Sequence, residues 1–397
     1  MQPAEKTMPR GSTKRIGLGC FAIFLLAGFC FGQAAGSESP FDGRPATNVR
    51  TNWTEFHNSN MERRNPDEKV LNAKNVGKLR LKWSYKTGGW VRSSPAVVNG
   101  VVYVNSDNLY ALNASTGALL WNYPSAGGDS SPAVANGVVY VGSLDNNVYA
   151  LNASTGTKLW NYTTPDQVLS SPAVVNGVVY VGSGDGNLYA LNASTGAKLW
   201  SYNTGTPVYP SPAVASGQVY VASSDNVYAL DASTGTLLWS YHVNDYFRSS
   251  PAVADGVVYI GDSQFGSNVY ALDASTGAQL WTYATGGGSS SPAVSNGVVY
   301  IGALPFDRSN VFALNASTGA LVWGYHTGHG VHSSPAVANG VVYVGSSDHK
   351  VYALNARTGA KLWSYKTGSY VDASPVVVNG MVYIGSYDRK VYAFGLK

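Results

Sequence analysis

Three of the six histidines lie close together in the chain, in the segment His326-Thr-Gly-His329-Gly-Val-His332. Three imidazoles can bind zinc or copper when one loop folds them together. An ordinary polar loop is the favoured explanation, because Lys366 and His242 occupy the position of His326 in similar segments elsewhere. We therefore predict no metal site and keep the three histidines as the alternative.

Chemistry that needs cysteine or glutamate has few residues available. The only cysteines, Cys20 and Cys30, lie within an apolar N-terminal run, and the last glutamate of the chain is Glu68. Removal of that run would leave no disulfide, no thiolate metal site and no covalently attached haem. No residue is assigned a catalytic role.

The N-terminus has the pattern of an export signal. Three basic residues precede the uncharged apolar run at residues 16–31, and small residues follow at 34–36. The run is shorter than the roughly 20 residues that a membrane-spanning helix needs, although an uncleaved anchor stays open. We predict a signal peptide over residues 1–36. The protein is then exported to the periplasm, the cell surface or the extracellular space, and contacts a membrane only through an uncleaved signal.

The charge balance argues against nucleic acid as a partner. Lys and Arg number 26 against 22 Asp and Glu, which gives a formal net charge of +4, and the sequence contains no basic stripe. Affinity for nucleic acid depends mainly on such basic surfaces. We predict no nucleic-acid binding.

The elements that must position any site are repeated units of about 40 residues, a period typical of propeller blades. A Ser-Pro-Ala-Val motif or a close variant marks each unit. Its proline recurs at Pro95, Pro132, Pro172, Pro212, Pro251, Pro292, Pro335 and Pro375. The sequence therefore predicts eight units.

Each unit is predicted to form four short strands, A to D. In residues 170–203, β-rich runs are separated by Asn176-Gly177 and by Asn192-Ala-Ser-Thr-Gly196. Asn-Gly suits a two-residue hairpin, and an Asx side chain followed by glycine suits the second turn. One such antiparallel sheet cannot bury both of its faces, so the blades must stack, and a ring removes the unpaired ends.

The ends of the chain predict how the ring closes. A D-type run at residues 79–85 comes before the first A strand, and the last unit ends after its C strand. We predict that the N-terminal run supplies the missing outer strand of the last blade. The predicted fold is an all-β, eight-bladed β-propeller of four-stranded antiparallel blades over residues 79–397, closed by this N-terminal strand and monomeric.

The stretch Ala111-Leu-Asn-Ala-Ser-Thr-Gly-Ala-Leu-Leu-Trp121 recurs with small changes along the chain. It resembles the tryptophan-docking motif of the pyrroloquinoline-quinone (PQQ) propellers, a superfamily of quinoprotein dehydrogenases and outer-membrane assembly lipoprotein-like propellers. The resemblance implies that each docking tryptophan packs between adjacent blades. These structural residues are Trp83, Trp121, Trp160, Trp200, Trp239, Trp281, Trp323 and Trp363.

Membership of such a superfamily implies a fold and not an activity. The resemblance offers PQQ with Ca²⁺ as a cofactor, but its alcohol-dehydrogenase branch uses a vicinal Cys-Cys pair and a calcium site containing Glu. The predicted propeller contains neither residue type. We therefore predict no cofactor and a non-catalytic module that binds or scaffolds a protein or glycan in the envelope or outside the cell. A PQQ-dependent quinoprotein oxidoreductase acting on alcohols or sugars is the alternative.

The near-identical units differ at the residue immediately before each A strand, which we call the mouth residue. The A strand is innermost in propellers, so these side chains are expected to surround the mouth of the central channel. In chain order the mouth residues are Arg92, Asp129, Leu169, Tyr209, Arg248, Ser289, His332 and Asp372. Six are predicted to bind a ligand or partner: Arg92, Asp129, Tyr209, Arg248, His332 and Asp372. Arginine forks in a polar ring suit an anionic or hydroxylated ligand or an acidic peptide, and a hydrated mouth without specificity is the alternative.

Longer B-to-C loops in the fifth and sixth units are predicted to open on the same face as the mouth residues. Phe265 lies in the first of these loops and Phe306 in the second. Insertions confined to one face of a repeat protein usually map to a binding surface, and exposed aromatic residues are enriched in protein contacts. We predict that Phe265 and Phe306 form the apolar margin of the site.

Residues 37–78 lack the repeat and are predicted to form a strap across the ring. The strap contains Trp53 and Phe56, which are expected to be its apolar anchors. A flexible exposed tail is the alternative.

Overall fold

The computed structural model describes residues 52–58, 61–124, 127–263, 268–286, 290–306 and 309–397, apart from the side chains of residues 305, 306 and 309. The predicted signal peptide and the first part of the strap lie outside these residues. Within the described ranges the strands form eight antiparallel sheets, one for each repeat, and a short extra strand joins one of them. The predicted eight-bladed β-propeller is therefore confirmed. The described residues contain no helix with the length and apolarity needed to cross a membrane.

The two inner strands of each blade are short and apolar. The A strands, innermost in the blades, are β3 (Ala96–Val98), β7 (Ala133–Ala135), β11 (Ala173–Val175), β15 (Ala213–Ala215), β19 (Ala252–Ala254), β23 (Ala293–Ser295), β27 (Ala336–Ala338) and β31 (Val376–Val378). The B strands are β4 (Val101–Asn105), β8 (Val138–Gly142), β12 (Val178–Gly182), β16 (Gln218–Ser223), β20 (Val257–Gly261), β24 (Val298–Phe306), β28 (Val341–Ser346) and β32 (Met381–Ser386). Neighbouring blades cover both faces of these strands, so most of their residues are buried.

The two outer strands complete each blade. The C strands are β5 (Leu109–Asn113), β9 (Asn147–Asn152), β13 (Asn187–Asn192), β17 (Asn226–Asp231), β21 (Asn268–Asp273), β25 (Ser309–Asn315), β29 (Lys350–Asn355) and β33 (Lys390–Gly395). The D strands are β6 (Leu119–Tyr123), β10 (Lys158–Thr163), β14 (Lys198–Asn203), β18 (Leu237–His242), β22 (Gln279–Ala284), β26 (Leu321–Tyr325), β30 (Lys361–Lys366) and, in blade eight, β2 (Arg80–Lys86). Two further elements precede β2: the strand β1 (Arg64–Asn65) and a 3₁₀ helix at Val76–Lys78.

Two recurring turns shape the blades. Asn176 and Gly177 join strands A and B of blade three with φ values of 51° and 77°. Both residues thus adopt the left-handed backbone that a two-residue Asn-Gly hairpin requires. In the C-to-D turn, the Asn192 side-chain oxygen accepts hydrogen bonds from the backbone N–H groups of Ser194 and Thr195, both at 3.0 Å.

The outer strand of blade eight is β2, which precedes all the other propeller strands in the chain. It pairs antiparallel with β33, so that Trp83 lies opposite Ala393 and Lys86 opposite Lys390. The order of this sheet is β2-β33-β32-β31. The backbone hydrogen bonds of this pair cover an edge of β33 that would otherwise be unpaired.

The docking tryptophans connect each blade to the next. Trp121 Nε1 and the Tyr103 hydroxyl both donate to the carbonyl oxygen of Ala153, each at 3.0 Å. The same tryptophan bond joins Trp83 to Ala114, Trp160 to Ala193, Trp200 to Ala232, Trp239 to Ala274, Trp281 to Ala316 and Trp323 to Ala356. Trp363 donates to the carbonyl oxygen of Leu79 instead, at 3.2 Å, because blade eight has no C-to-D turn.

A closed ring of serines joins the inner ends of the blades. The backbone N–H of each serine donates to the hydroxyl oxygen of the equivalent serine in the next blade. The eight members are Ser94, Ser131, Ser171, Ser211, Ser250, Ser291, Ser334 and Ser374. Each lies two residues after a mouth residue, so the ring holds the described mouth residues at one level around the channel.

The strap follows the inner edges of the A strands. Trp53 and Val97 exchange two backbone hydrogen bonds, at 2.8 and 2.7 Å. The same kind of contact continues around the ring, where backbone N–H groups donate to strap carbonyls: Val134 to Thr54, Val253 to Met61, Val294 to Glu62 and Val337 to Arg63. β1 also pairs in parallel with β27. The strap therefore runs inside the central channel and pairs with strand edges that would otherwise be unpaired.

Aromatic and cationic side chains hold the strap in place. Trp53 is fully buried and Phe56 is half-buried. Arg63, which the sequence pattern does not single out, is also fully buried. It donates to the carbonyl oxygens of Pro335 and Pro375, at 3.0 and 3.3 Å, and its guanidinium lies 4.5 Å from the Phe56 ring centroid. Three backbone carbonyls in all, the third from Phe56, solvate this buried cation.

Candidate binding site on the upper face

The described mouth residues share one face of the ring with the D-to-A and B-to-C loops, because the four strands of each blade alternate in direction. We call this the upper face, and the A-to-B and C-to-D turns form the lower face. The predicted ligand-binding residues on the upper face are exposed at Arg92, Asp129, Tyr209 and Arg248 and half-buried at His332 and Asp372.

Arg92 and Asp129 lie together on the upper face. Their Nη1 and Oδ2 atoms are 3.2 Å apart, and the two side chains are 40% and 45% exposed. The Arg92 guanidinium also lies 5.2 Å from the ring centroid of Trp90 and 5.1 Å from that of Tyr387. An exposed ion pair of this kind adds little to stability. It does mean that the arginine fork predicted to receive an anion already faces a carboxylate.

Four aromatic side chains form a continuous row that begins beside Arg92, and we call Trp90, Tyr387, Tyr370 and His349 the aromatic shelf. Trp90 and Tyr387 stack with ring centroids 5.5 Å apart and 6° between their planes. Tyr387 meets Tyr370 edge to face at 6.1 Å, and Tyr370 meets His349 in the same way at 5.1 Å. Trp90 is 54% exposed and Tyr370 is 46% exposed. The aromatic shelf spans the junction of blades seven, eight and one.

Asp372 belongs to the same group through Tyr387. Burial, and next the charge of Asp372, raise the pKa of Tyr387 to about 12, so its hydroxyl stays protonated at neutral pH. Ser347 Oγ donates to Asp372 Oδ1 at 3.0 Å and fixes this carboxylate. Three of the predicted mouth residues, Arg92, Asp129 and Asp372, are thus gathered around one tyrosine.

Two further predicted residues lie apart from this group. Tyr209 and Arg248 are the mouth residues of blades four and five, which face blades eight and one across the ring. Phe265 lies outside the described residues. Phe306 is described only by its backbone, which pairs with Ser309 at the end of a lengthened B-to-C hairpin. A role for these four residues stays a prediction.

The three histidines lie in the loop that follows blade six. Among the described residues, no three His, Cys, Asp or Glu side chains lie close enough together to hold a metal ion. His326 and His329 are exposed on their loop, whereas His332 is half-buried at its mouth position. The loop backbone is fixed because Thr327 and Asn310 side chains both donate to the carbonyl oxygen of His329. The metal alternative kept for these histidines therefore has no support in the structure.

The aromatic shelf does not follow from the mouth-residue pattern, although the sequence carries a signal for it. Eight of the ten tryptophans belong to the docking motif, which leaves Trp53 and Trp90 without that structural explanation. Tyr387 similarly occupies a B-to-C loop position that holds Gly184 or Ser347 in other blades. The stacking of Trp90 on Tyr387 depends on how blade eight meets blade one, which a comparison of single units does not reveal.

Comparison with known families agrees with this architecture. A family profile described as outer membrane protein assembly factor BamB (PQQ_2) matches residues 71–127, 105–224, 203–289 and 265–397. These overlapping segments include every blade. The chain belongs to this BamB family.

Curated relatives of this BamB-family chain match short segments. The dehydrogenase subunit of alcohol dehydrogenase (quinone) from Gluconobacter oxydans is 40% identical over 75 residues, which is 18% of this chain and 10% of the relative. Quinohemoprotein alcohol dehydrogenase ADH-IIG from Pseudomonas putida is 37% identical over 76 residues, 18% of this chain and 11% of the relative. The matched part of the chain thus spans about a tenth of the length of these relatives.

Solved structures extend the similarity to the whole propeller. A europium-containing methanol dehydrogenase superposes with a TM-score of 0.75 at 18% identity, covering 87% of this chain and 98% of the other. BamB from Moraxella catarrhalis superposes with a TM-score of 0.67 at 19% identity, covering 80% of this chain and 100% of the other. At such identities the likeness shows the fold and nothing finer.

One cavity of this BamB-family chain has a lining that does not fit PQQ with Ca²⁺. A cavity of about 740 Å³ opens on the lower face where the strap meets blades one to three, and no Lys or Arg lines it. PQQ carries three carboxylates that call for cations, and Ca²⁺ calls for several charged or carbonyl oxygens. Burial raises the pKa of Glu55, the one carboxyl in the lining, to about 8. Glu55 is therefore mainly neutral at pH 7 and suits neither role.

Proposed function

We propose that the chain is an exported, non-catalytic binding module that presents its upper face to a protein or glycan. The observation that supports this most directly is where the near-identical blades diverge. The docking tryptophans, the turns and the serine ring repeat from blade to blade, whereas the mouth residues and the aromatic residues of the upper loops do not. Exposed positions that are free of the repeated structural role are available for recognition.

The family description favours a partner in the cell envelope. An outer membrane protein assembly factor acts on or beside other proteins, and the pattern of residues 1–36 supports export of this chain. A rigid ring also suits a scaffold, because the serine ring and the docking tryptophans hold the upper loops at fixed positions. Both features support a role in binding rather than in chemistry.

Two arginine substitutions test which face binds. We expect the double variant Arg92→Ala and Arg248→Ala to melt within a degree or two of the wild type, because exposed loop charges add little to stability. The immobilised wild type and variants are incubated with an envelope fraction, and retained proteins and glycans are identified by mass spectrometry. Arg357→Ala, which removes an exposed cation from a C-to-D turn of the lower face, is the matched control. The proposal predicts that components retained by the wild type are lost only from the double variant, and the same retained set for all three proteins contradicts it.

The curated relatives named as quinone-dependent alcohol dehydrogenases support one alternative, a PQQ-dependent oxidoreductase. Purified protein is mixed with PQQ and Ca²⁺, and the absorbance of protein-bound cofactor is recorded after gel filtration. Dye reduction is then assayed with alcohols and sugars. We expect no retained cofactor and no dye reduction, and saturable binding together with turnover would overturn the non-catalytic proposal.

A further inference from the structure

We infer that the aromatic shelf, together with Arg92, Asp129 and Asp372, binds a neutral oligosaccharide. This inference rests on the proposed function, because it assigns a ligand class to one part of the upper face. The observation behind it is a set of exposed planar rings bordered by carboxylates and a guanidinium at the junction of three blades.

The exposed rings offer the apolar half of such a site. Trp90 and Tyr370 are each about half exposed, although aromatic side chains of this size are usually covered. One face of a pyranose presents mainly C–H groups, which pack well against the flat surface of an aromatic ring. Trp90 and Tyr370 occupy equivalent positions in consecutive D-to-A loops, so an extended chain of sugar units could contact both.

The charged side chains beside the aromatic shelf offer the polar half and favour a neutral ligand. Asp129 and Asp372 supply two carboxylates against the single positive charge of Arg92, and that charge is already paired at 3.2 Å with Asp129. The net charge of these three groups is negative, which disfavours an acidic peptide or a sulfated polymer as the ligand. Sugar hydroxyl groups both donate and accept, so they can bond to the free carboxylate lone pairs and to the remaining guanidinium N–H groups.

The site is held in its shape before any ligand binds. The backbone N–H of Tyr387 donates to the carbonyl oxygen of Tyr370 at 2.9 Å, which ties the two loops together. Asp372 is fixed by Ser347, and Tyr387 is fixed by its stack on Trp90. Binding therefore immobilises few additional side chains, which lowers the entropy lost on association.

Calorimetric titration tests the inference with the full chain. The neutral probes are cellohexaose, chitohexaose and xylohexaose, and the anionic comparators are a polyglutamate peptide and heparin. We expect saturable binding of at least one neutral probe and weaker or no binding of both anions. Trp90→Ser should lower the affinity for that probe by about tenfold or more, as for a central aromatic contact.

A matched control separates the shelf from general exposure. Tyr246 is 53% exposed at the equivalent loop position before blade five, away from the aromatic shelf. We expect Tyr246→Ser to bind the probe as the wild type does. Asp372→Asn, which keeps every ring in place, should also weaken binding. It replaces Trp90→Ser in the test if that variant is destabilised, and the melting temperature of each variant shows whether its fold is intact.

Each remaining outcome overturns the inference. If no neutral probe binds while the arginine double variant still loses its envelope partner, the carbohydrate inference fails and the proposed function stands. Equal affinity in the wild type and Trp90→Ser places the site elsewhere. Preference for polyglutamate or heparin shows that the upper face recognises an anion.

Discussion

At the residue scale, the glycine of each C-to-D turn serves a contact as well as a turn. Gly196 has a φ of 73°, and a Cβ added there would lie 2.7 Å from Cε3 of Trp160. Gly177, in an A-to-B hairpin, has a similar φ of 77°, but a Cβ added there would meet nothing within 4 Å. The two positions therefore share the backbone requirement and differ only in the docking tryptophan.

We predict that Gly196→Ala destabilises the chain more than Gly177→Ala does. A left-handed alanine costs about 1–2 kcal/mol in both variants, and displacement of the Trp160 ring should add about 1–3 kcal/mol in the first. Urea unfolding of both variants and the wild type measures the two free energies. Equal destabilisation would show that the tryptophan shifts freely and that the close contact is unimportant.

Glu55 connects the strap to blade three. Its Oε2 accepts a hydrogen bond from the backbone N–H of Val174 at 3.0 Å, and burial raises its pKa from 4.5 to about 8. The folded chain thus holds this proton more tightly than the unfolded chain. Glu55 therefore makes its full contribution to stability below about pH 4.5, and this contribution is lost as the pH rises through about 8. Burial, with help from the charge of Arg63, lowers the pKa of His57 to about 3. His57 therefore affects the pH dependence of stability only below about pH 6.5.

We predict that the melting temperature of the wild type falls by a few degrees between pH 6.5 and 8.5 and that Glu55→Gln removes most of this fall. Glutamine keeps an acceptor for Val174 and carries no charge at any of these pH values. The expected difference is on the order of 1–2 kcal/mol, since one pKa unit corresponds to about 1.4 kcal/mol. Parallel pH profiles for the two proteins would contradict the burial of a neutral Glu55.

At the element scale, the strap covers the inner edges of the A strands. The A strands are only three residues long and lie at the edge of their sheets, where unpaired N–H groups would face the channel. Strap carbonyls accept from four of these groups, and Trp53 makes a two-way contact with Val97. The strap is therefore part of the folded propeller.

We predict that a variant starting at residue 71, which lacks the channel segment but keeps β2, loses amide protection on the A strands. Hydrogen exchange at Val97, Val134, Val253, Val294 and Val337 should accelerate, because their bonds to the strap are absent. A variant starting at residue 52 is the control and should exchange as the full chain does. Unchanged protection in the shorter variant would mean that other groups or water replace the strap.

At the scale of the whole molecule, blade eight differs from the others. Its serine bond to blade one is 3.3 Å long, and Trp363 of blade seven reaches Leu79 at 3.2 Å in place of a turn alanine. In other blades the equivalent tyrosine hydroxyl donates to the C-to-D turn alanine of the next blade. The Tyr343 hydroxyl has no hydrogen-bond partner among the described residues. The junction made from both ends of the chain is thus the least regular part of the ring, and it is where the aromatic shelf lies.

We predict that a variant starting at residue 87, which also lacks β2, either aggregates or loses its single cooperative unfolding transition. Removal of β2 exposes the whole edge of β33 and deletes the contact of Trp83 with Ala114. Calorimetry and light scattering compare it with the variant starting at residue 71, so that loss of the strap is separated from loss of the strand. If the two melt alike, β2 is not needed to close the ring.

The fold was predictable because its determinants are local and repeated. Pro172, Asn176-Gly177, Asn192 and Trp200 recur at fixed spacing, and each acts through a turn or a contact with the adjacent blade. Eight copies average out the ambiguity of any single short strand. The number of blades, the turn types and the ring of mouth residues therefore follow from the repeat alone.

The occupant of the channel and the contacts among the mouth residues are visible only in the folded chain. The strap has no repeat, so nothing in its spacing indicated that Thr54, Met61 and Arg63 would each pair with a different blade. Trp90 and Tyr387 are almost 300 residues apart in the chain, and their stack exists only because blade eight closes onto blade one. Contacts between positions so far apart depend on the three-dimensional path of the chain, which local propensity and periodicity do not encode.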